Sequence, residues 1–340
     1  MCNSILESMN SFPFLITIVL SSTVMCVMSN SWVSVWIFLE LNTLAFCSLM
    51  KTFSYKKKKM SEMSMKYFII QSVASSLLLF SSISMKMTKE LLSFLMVFAL
   101  LSLLIKMACS PFQQWFVTLA KSCKWSNATL LMTWQKLAPV FLIIYQIKFY
   151  LLPFIILSAY LGTVSQMNKK DFKEIMAYSS VFNLSWMLLA IILNMKVFGL
   201  FCLIYWNAVV LTMYMMKLSN LKSIDSSSKP NTMKWVMFII IINLAGIPPL
   251  AGFMSKWLVF MESLTSSFYL VTTAILTASS INLFIYMRLI NKNVMQNTSN
   301  DQKSNKQTVN LLSKSTIILN GLPLLMISTY SKRLKKGLFW

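Results

Sequence analysis

From end to end, this chain repeats apolar runs of about 20 residues separated by short polar connections, and nothing constrains its fold more. A helix rises about 1.5 Å per residue, so each run can cross a hydrocarbon layer of roughly 30 Å. Within such a layer backbone polar groups must be satisfied inside the segment, which makes the helix the spanning element for runs of this length. The chain is 57% hydrophobic and 12% charged, too little charge to cover a soluble protein of 340 residues. The expected fold is all-α, a polytopic membrane protein of about eleven transmembrane helices. The runs fall near 12–29, 31–50, 64–85, 90–121, 127–148, 150–167, 173–194, 197–217, 233–263, 267–290 and 313–331.

Two runs, 90–121 and 233–263, are too long for one straight crossing, and each contains helix breakers. Pro111 interrupts the first; Gly246, Pro248 and Pro249 interrupt the second. Proline removes a helix hydrogen bond and clashes with the preceding turn, so both helices should be broken. The interrupted runs lie five spans apart, and an odd number of spans gives successive units opposite topology. The expected organisation is a single membrane domain, 1–340, with five-helix inverted repeats at about 12–148 and 150–290. A polar loop at 291–312 and a C-terminal helix at 313–331 follow. Paired broken helices in such repeats point to a transport path, the alternative being harmless proline kinks.

Four charges sit near the middle of apolar runs: Glu40, Lys106, Lys136 and Lys256. A charge at that depth costs roughly 2.5–3.5 kcal/mol even on a lenient insertion scale. Lys106 precedes Pro111, and Lys256 follows the second break, in GIPPLAGFMSKWLVF. A buried lysine with a movable carboxylate partner can be switched between holding and releasing a proton. Structural ion pairs are the other use of such residues.

The net charge of +22 would imply nucleic acid in a soluble protein. Here the basic residues crowd short loops beside apolar runs, the pattern of loops retained on the negative side of a membrane, where they also attract anionic headgroups. Nucleic-acid binding is therefore excluded. Counting bases by this span assignment gives about 20 on the side of the N-terminus and about 8 on the other, so the N-terminus is expected on the positive, matrix-like side. The start, MCNSILESMN, has no basic region or A-x-A site, so the first run is expected to be a retained helix. Six cysteines without a C-x-x-C pair and the absence of histidine leave no legible redox centre, haem or zinc site. The abundance of Lys, Met, Ile, Phe, Asn and Ser matches A/T-rich codons and hints at an organellar genome.

Five segments, SNSWVSVWIFLELN, KMACSPFQQWF, MTWQKLAPV, KEIMAYSSVFNLSWML and LAGIPPLAGFMSKWLVF, resemble in order the antiporter-like subunits in the membrane arm of mitochondrial NADH–ubiquinone oxidoreductase, specifically the chain 2 family. The animal members of that family have eleven helices, which agrees with the span count. The resemblance implies a switching ion pair at Glu40 and Lys106, with Lys136 and Lys256 as further groups of a proton relay. It also implies that NAD, FMN, iron–sulfur clusters and ubiquinone are handled by other subunits, with no cofactor on this chain. The implied partners are the antiporter-like chain 4, the small chain 4L and an anionic lipid such as cardiolipin, in the mitochondrial inner membrane. Two positions depart from the family pattern: Gln113 and Asn183 stand where it commonly has histidine. An amide does not titrate, though it can orient water. A stand-alone cation/proton antiporter and a structural, non-pumping subunit are the rival readings at this point.

Overall fold

In a computed structural model of the chain, residues 2–52, 57–87, 92–145, 148–219, 231–248, 250–266 and 268–295 are described. The apolar runs wind into α1 (Cys2–Met28), α2 (Trp32–Thr52), α3 (Lys57–Met87), α4 (Leu92–Met107), α5 (Gln114–Ser122), α6 (Trp125–Met132), α7 (Leu137–Ile143), α8 (Leu152–Met167), α9 (Phe172–Leu193), α10 (Met195–Ser219), α11 (Asn231–Ala245), α12 (Ala251–Thr265) and α13 (Tyr269–Met295). Among the described residues, five stretches are long and apolar enough to cross a membrane unaided: Trp32–Lys51, Met60–Met85, Phe172–Leu193, Met195–Ser219 and Tyr269–Ile290. The C-terminal helix expected at 313–331 and Pro249 lie outside the described residues.

Short polar residues set several helix boundaries. Ser31 opens α2, its hydroxyl accepting from the Ser34 amide at 3.2 Å while its carbonyl accepts from Val35. Asn194 alone separates α9 from α10: its amide closes α9 on the Ala190 carbonyl, and its side chain accepts from the Lys196 amide at 3.0 Å.

The long run at 90–121 is broken, as expected, into α4 and α5, yet α4 ends at Met107, before Pro111. The terminator is Ala108, held at φ 58°, with its amide on the Ile105 carbonyl and the Cys109 amide on the Leu104 carbonyl. That is a Schellman closure with alanine where glycine is the usual residue. The run at 233–263 is broken into α11 and α12 at Gly246, φ +80°, whose amide returns to the Ile242 carbonyl. A third interruption falls inside the single span expected at 127–148, where one 3-10 turn over Trp134–Lys136 divides α6 from α7.

The two halves of the chain interleave, α5 packing on α9 and α6 on α10, while α7 returns within the first half to pack on α1. At the centre stands α9, predominantly apolar with a few buried polar residues such as Ser180 and Asn183, and 94% buried in its spanning window. Gly162 on α8 permits a close approach to it, since a Cβ there would lie 2.9 Å from the Phe182 amide nitrogen.

Candidate functional site

All three mid-membrane lysines lie at helix interruptions. Lys106 occupies the last turn of α4, Lys136 ends the 3-10 turn, and Lys256 lies in the second turn of α12. Lys106 and Lys136 are 5% and 2% exposed, and Lys256 is partly buried. Each ammonium donates to carbonyl oxygen. Lys106 Nζ reaches the Gln71 carbonyl on α3 at 3.3 Å, and the Gln71 amide answers weakly onto the Lys106 carbonyl at 3.5 Å. Lys136 Nζ donates to both the carbonyl and the hydroxyl of Ser180 on α9, each at 3.1 Å, and sits 4.8 Å from the Phe116 ring centre. Lys256 Nζ folds back onto the final carbonyls of α11, Ala245 at 2.9 Å and Leu244 at 3.5 Å. Those carbonyls form the negative end of the α11 dipole, a natural seat for a cation.

Among the described residues no carboxylate comes within 4.0 Å of any of these three ammoniums; the ion pairs join Lys121 and Lys169 to Asp171 and Glu174 at a loop. A carbonyl can accept from an ammonium or from a neutral amine, so such partners suit a group that changes protonation state. Lys106 and Lys136 line one small cavity of about 20 Å³, together with Asn42, Thr43, Gln71 and Gln135. That volume takes about one water molecule.

Glu40 is not paired with Lys106. It is partly buried on α2 and borders an open groove of about 510 Å³ between α2 and α3, beside Trp36, Ser72, Ser75 and Ser76. Its carboxylate accepts a long hydrogen bond from Thr43 Oγ1 at 3.4 Å. Thr43 also lines the lysine cavity and so stands between the carboxylate and that cavity.

Lys256 lies 5.7 Å from the Phe182 ring centre, whereas Lys136 bonds Ser180. Residues two apart on a helix point about 200° apart, so α9 stands between the second and third lysines. Gln113 is buried after the first break, near Pro111 in the segment joining α4 to α5. Asn183 donates to the Ser179 carbonyl at 2.9 Å, with the Tyr205 hydroxyl beside it. At the second break, Pro248 follows Gly246, and Asn243 Oδ1 accepts from the Gly252 amide at 2.8 Å, joining the two half-helices.

Asn42, Thr43, Gln71, Gln135 and Ser180 join the site only through the fold. Their one visible signal was polarity inside apolar runs, beside a charge in LELN and WQK.

Residues 29–282 match the family model described as NADH:quinone oxidoreductase/Mrp antiporter, TM. The chain is 34% identical over 287 residues to NADH-ubiquinone oxidoreductase chain 2 of Anopheles gambiae, covering 81% of this chain and 83% of that one. A chain from the structure of respiratory complex I of Thermus thermophilus with bound aureothin superposes with a TM-score of 0.80 at 20% identity, over 92% of this chain and 78% of that chain. A chain of the Mrp complex from Dietzia superposes at 0.72 with 14% identity, over 87% and 62% respectively. The two superpositions, at such low identity, speak for the fold: an all-helical, antiporter-like membrane protein.

Proposed function

The chain belongs to the NADH:quinone oxidoreductase/Mrp antiporter transmembrane family, and we propose that it is a proton-translocating core subunit of the membrane arm of respiratory NADH:ubiquinone oxidoreductase, complex I. Electron transfer through NAD, FMN, iron–sulfur clusters and ubiquinone belongs to other subunits, and this chain converts the resulting signal into proton movement. It is a multi-pass protein of the mitochondrial inner membrane with its N-terminus on the matrix side, a reading supported by the excess of basic residues there. Its neighbours are the antiporter-like chain 4 and the small chain 4L, with cardiolipin-type lipid at the basic loops. The outward groove beside Glu40 gives such a neighbour a place to bear on the carboxylate. Two inverted five-helix repeats within about eleven spans, at about 12–148 and 150–290, are the organisation that best accounts for the interrupted helices.

The observation that carries this reading is the placement of three lysine ammoniums at three helix interruptions, each bonded to neutral oxygen. In the relay, a change of charge or position at Glu40 is felt through Thr43 at the cavity. Lys106 then passes its proton across that cavity to Lys136, and the onward route to Lys256 skirts α9 at Ser180 and Phe182. Gln113 and Asn183 orient water at the family's histidine positions without titrating.

Replacing Lys136 by Met in the assembled complex tests the relay. We expect ubiquinone-coupled proton translocation to fall about tenfold or more. NADH oxidation by a hydrophilic acceptor, which bypasses the membrane arm, should hold. Undiminished translocation would sink the relay. Native gels of gently solubilised mitochondria test the assembly: peptides of this chain should be confined to the large NADH-oxidising band. A smaller band lacking that activity would point instead to a stand-alone antiporter.

A further inference from the structure

The turn that carries Lys136 is the least self-supported part of the site. It is one 3-10 turn, closed by a long bond from the Lys136 amide to the Thr133 carbonyl at 3.3 Å. Its three residues are tied outward to three different helices. Trp134 Nε1 donates to Thr23 Oγ1 on α1 at 3.0 Å, and Lys136 donates to Ser180 on α9. Gln135, between them, is joined to Asn42 on α2 by a reciprocal pair of amide hydrogen bonds: Asn42 Nδ2 to Gln135 Oε1 at 3.0 Å, and Gln135 Nε2 to Asn42 Oδ1 at 3.2 Å.

We propose that Asn42 and Gln135 form a positioning clasp that keeps the Lys136 turn in register with the Glu40 helix while protons pass. The inference rests on the relay reading above. Asn42 follows Glu40 by two residues and precedes Thr43, and Gln135 directly precedes Lys136. Both amides line the cavity shared by Lys106 and Lys136, so the clasp forms part of its wall. No other hydrogen bond among the described residues joins α2 to this turn. The bond from Lys136 to Ser180 involves the group that gains and loses the proton, so it is charge-assisted in one state and weaker in the other. The amides have no proton to lose near neutral pH and two mutual hydrogen bonds to hold them, so the clasp stays closed in every protonation state. A displacement of α2 at Glu40 is thereby transmitted to Lys136 without Lys106 as intermediary.

The test uses the intact complex carrying Asn42→Ala, Gln135→Ala, both together, the exchange Asn42→Gln with Gln135→Asn, and Lys136→Met as reference. Native gels report how much complex assembles, and protons translocated per electron report how it works once assembled. A clasp predicts that each single substitution lowers the proton-to-electron ratio severalfold in assembled complex. The double should be no worse than the worse single, and the exchange, which keeps one short and one long amide, should restore most of the ratio. Full ratios in the single variants beside a failed Lys136→Met would overturn the clasp and leave the relay standing. Losses that add in the double and are not recovered by the exchange would overturn it too. A full ratio in Lys136→Met would overturn the relay itself, and the clasp with it. If the alanine variants do not assemble, the bulkier pair Asn42→Leu and Gln135→Met replaces them under the same outcomes.

Discussion

The helix breaks at Ala108 and Gly246 solve the same problem with different means. Both stop a helix with a left-handed residue and place a lysine nearby, yet they satisfy that lysine differently. Lys256 lies beyond its break and returns to the carbonyls that the break itself exposes, Ala245 and Leu244. Lys106 lies before its break and reaches across to Gln71 on α3. The second break is therefore a self-contained seat, built from one stretch of chain, whereas the first is knitted into neighbouring helices. Glycine use follows the same division. Gly246 leaves room for the Lys256 ammonium, because a Cβ there would lie 2.9 Å from Nζ, and Gly252 leaves room for the Asn243 carbonyl. The first break manages with alanine in the left-handed position, where an L side chain costs roughly 1–2 kcal/mol.

If the second break depends on its own compactness, Gly252→Ala should do the most damage. Its Cβ would fall 1.8 Å from a backbone oxygen of Asn243, which has no rotamer to retreat into. Little or no assembled complex on a native gel is expected, and normal assembly would mean the half-helices can part freely. Next comes a contrast between lysines. Lys256→Met strips the α11 end of a donor that no other element supplies among the described residues, and should cost about 1–3 kcal/mol in the thermal inactivation of detergent-solubilised complex. Lys106→Met should cost less stability, because the Gln71 carbonyl also lies within the hydrogen-bonded ladder of α3. Equal losses would erase the distinction between seat and knit. Gly246→Ala should lower stability by roughly 1–2 kcal/mol through its backbone alone and displace the flexible end of Lys256. The smallest effect expected is a gain: Ala108→Gly should raise the inactivation midpoint by a few degrees, the left-handed position being relieved. A fall would show that the alanine methyl contributes packing that outweighs its strain.

These differences bear on what a sequence can disclose. The breaks at 108–113 and 246–250 were legible because proline and glycine interrupt runs too long for one crossing. The third break was not, although Pro139 was its sign. Proline is tolerated in the first turn of a helix, and Pro139 lies three residues into a fresh one, α7. A span of ordinary length gave no second reason to divide it. The lysines were legible from cost, since charge is rare inside apolar runs. Their partners were not, because a main-chain carbonyl has no letter in the sequence, and every lysine chose one. The orientation of Glu40 was hidden for a related reason: apolar residues occur on every face of α2, so no periodicity marks which side turns toward the α3 groove. The pairing of Asn42 with Gln135 joins positions 93 apart and could emerge only in three dimensions.

The burial of α9 has a consequence for how outside influence is received. Wrapped by α5, α6, α8, α10, α12 and α13, it touches little of what surrounds the chain. Lipid composition, bilayer tension or a small molecule dissolved in the acyl chains therefore reaches Ser180 and Phe182 only at second hand, through whichever wrapping helix yields first. Drugs or lipids that alter this subunit should leave their footprints on the outer helices, while α9 serves as the fixed axle against which their displacement is felt.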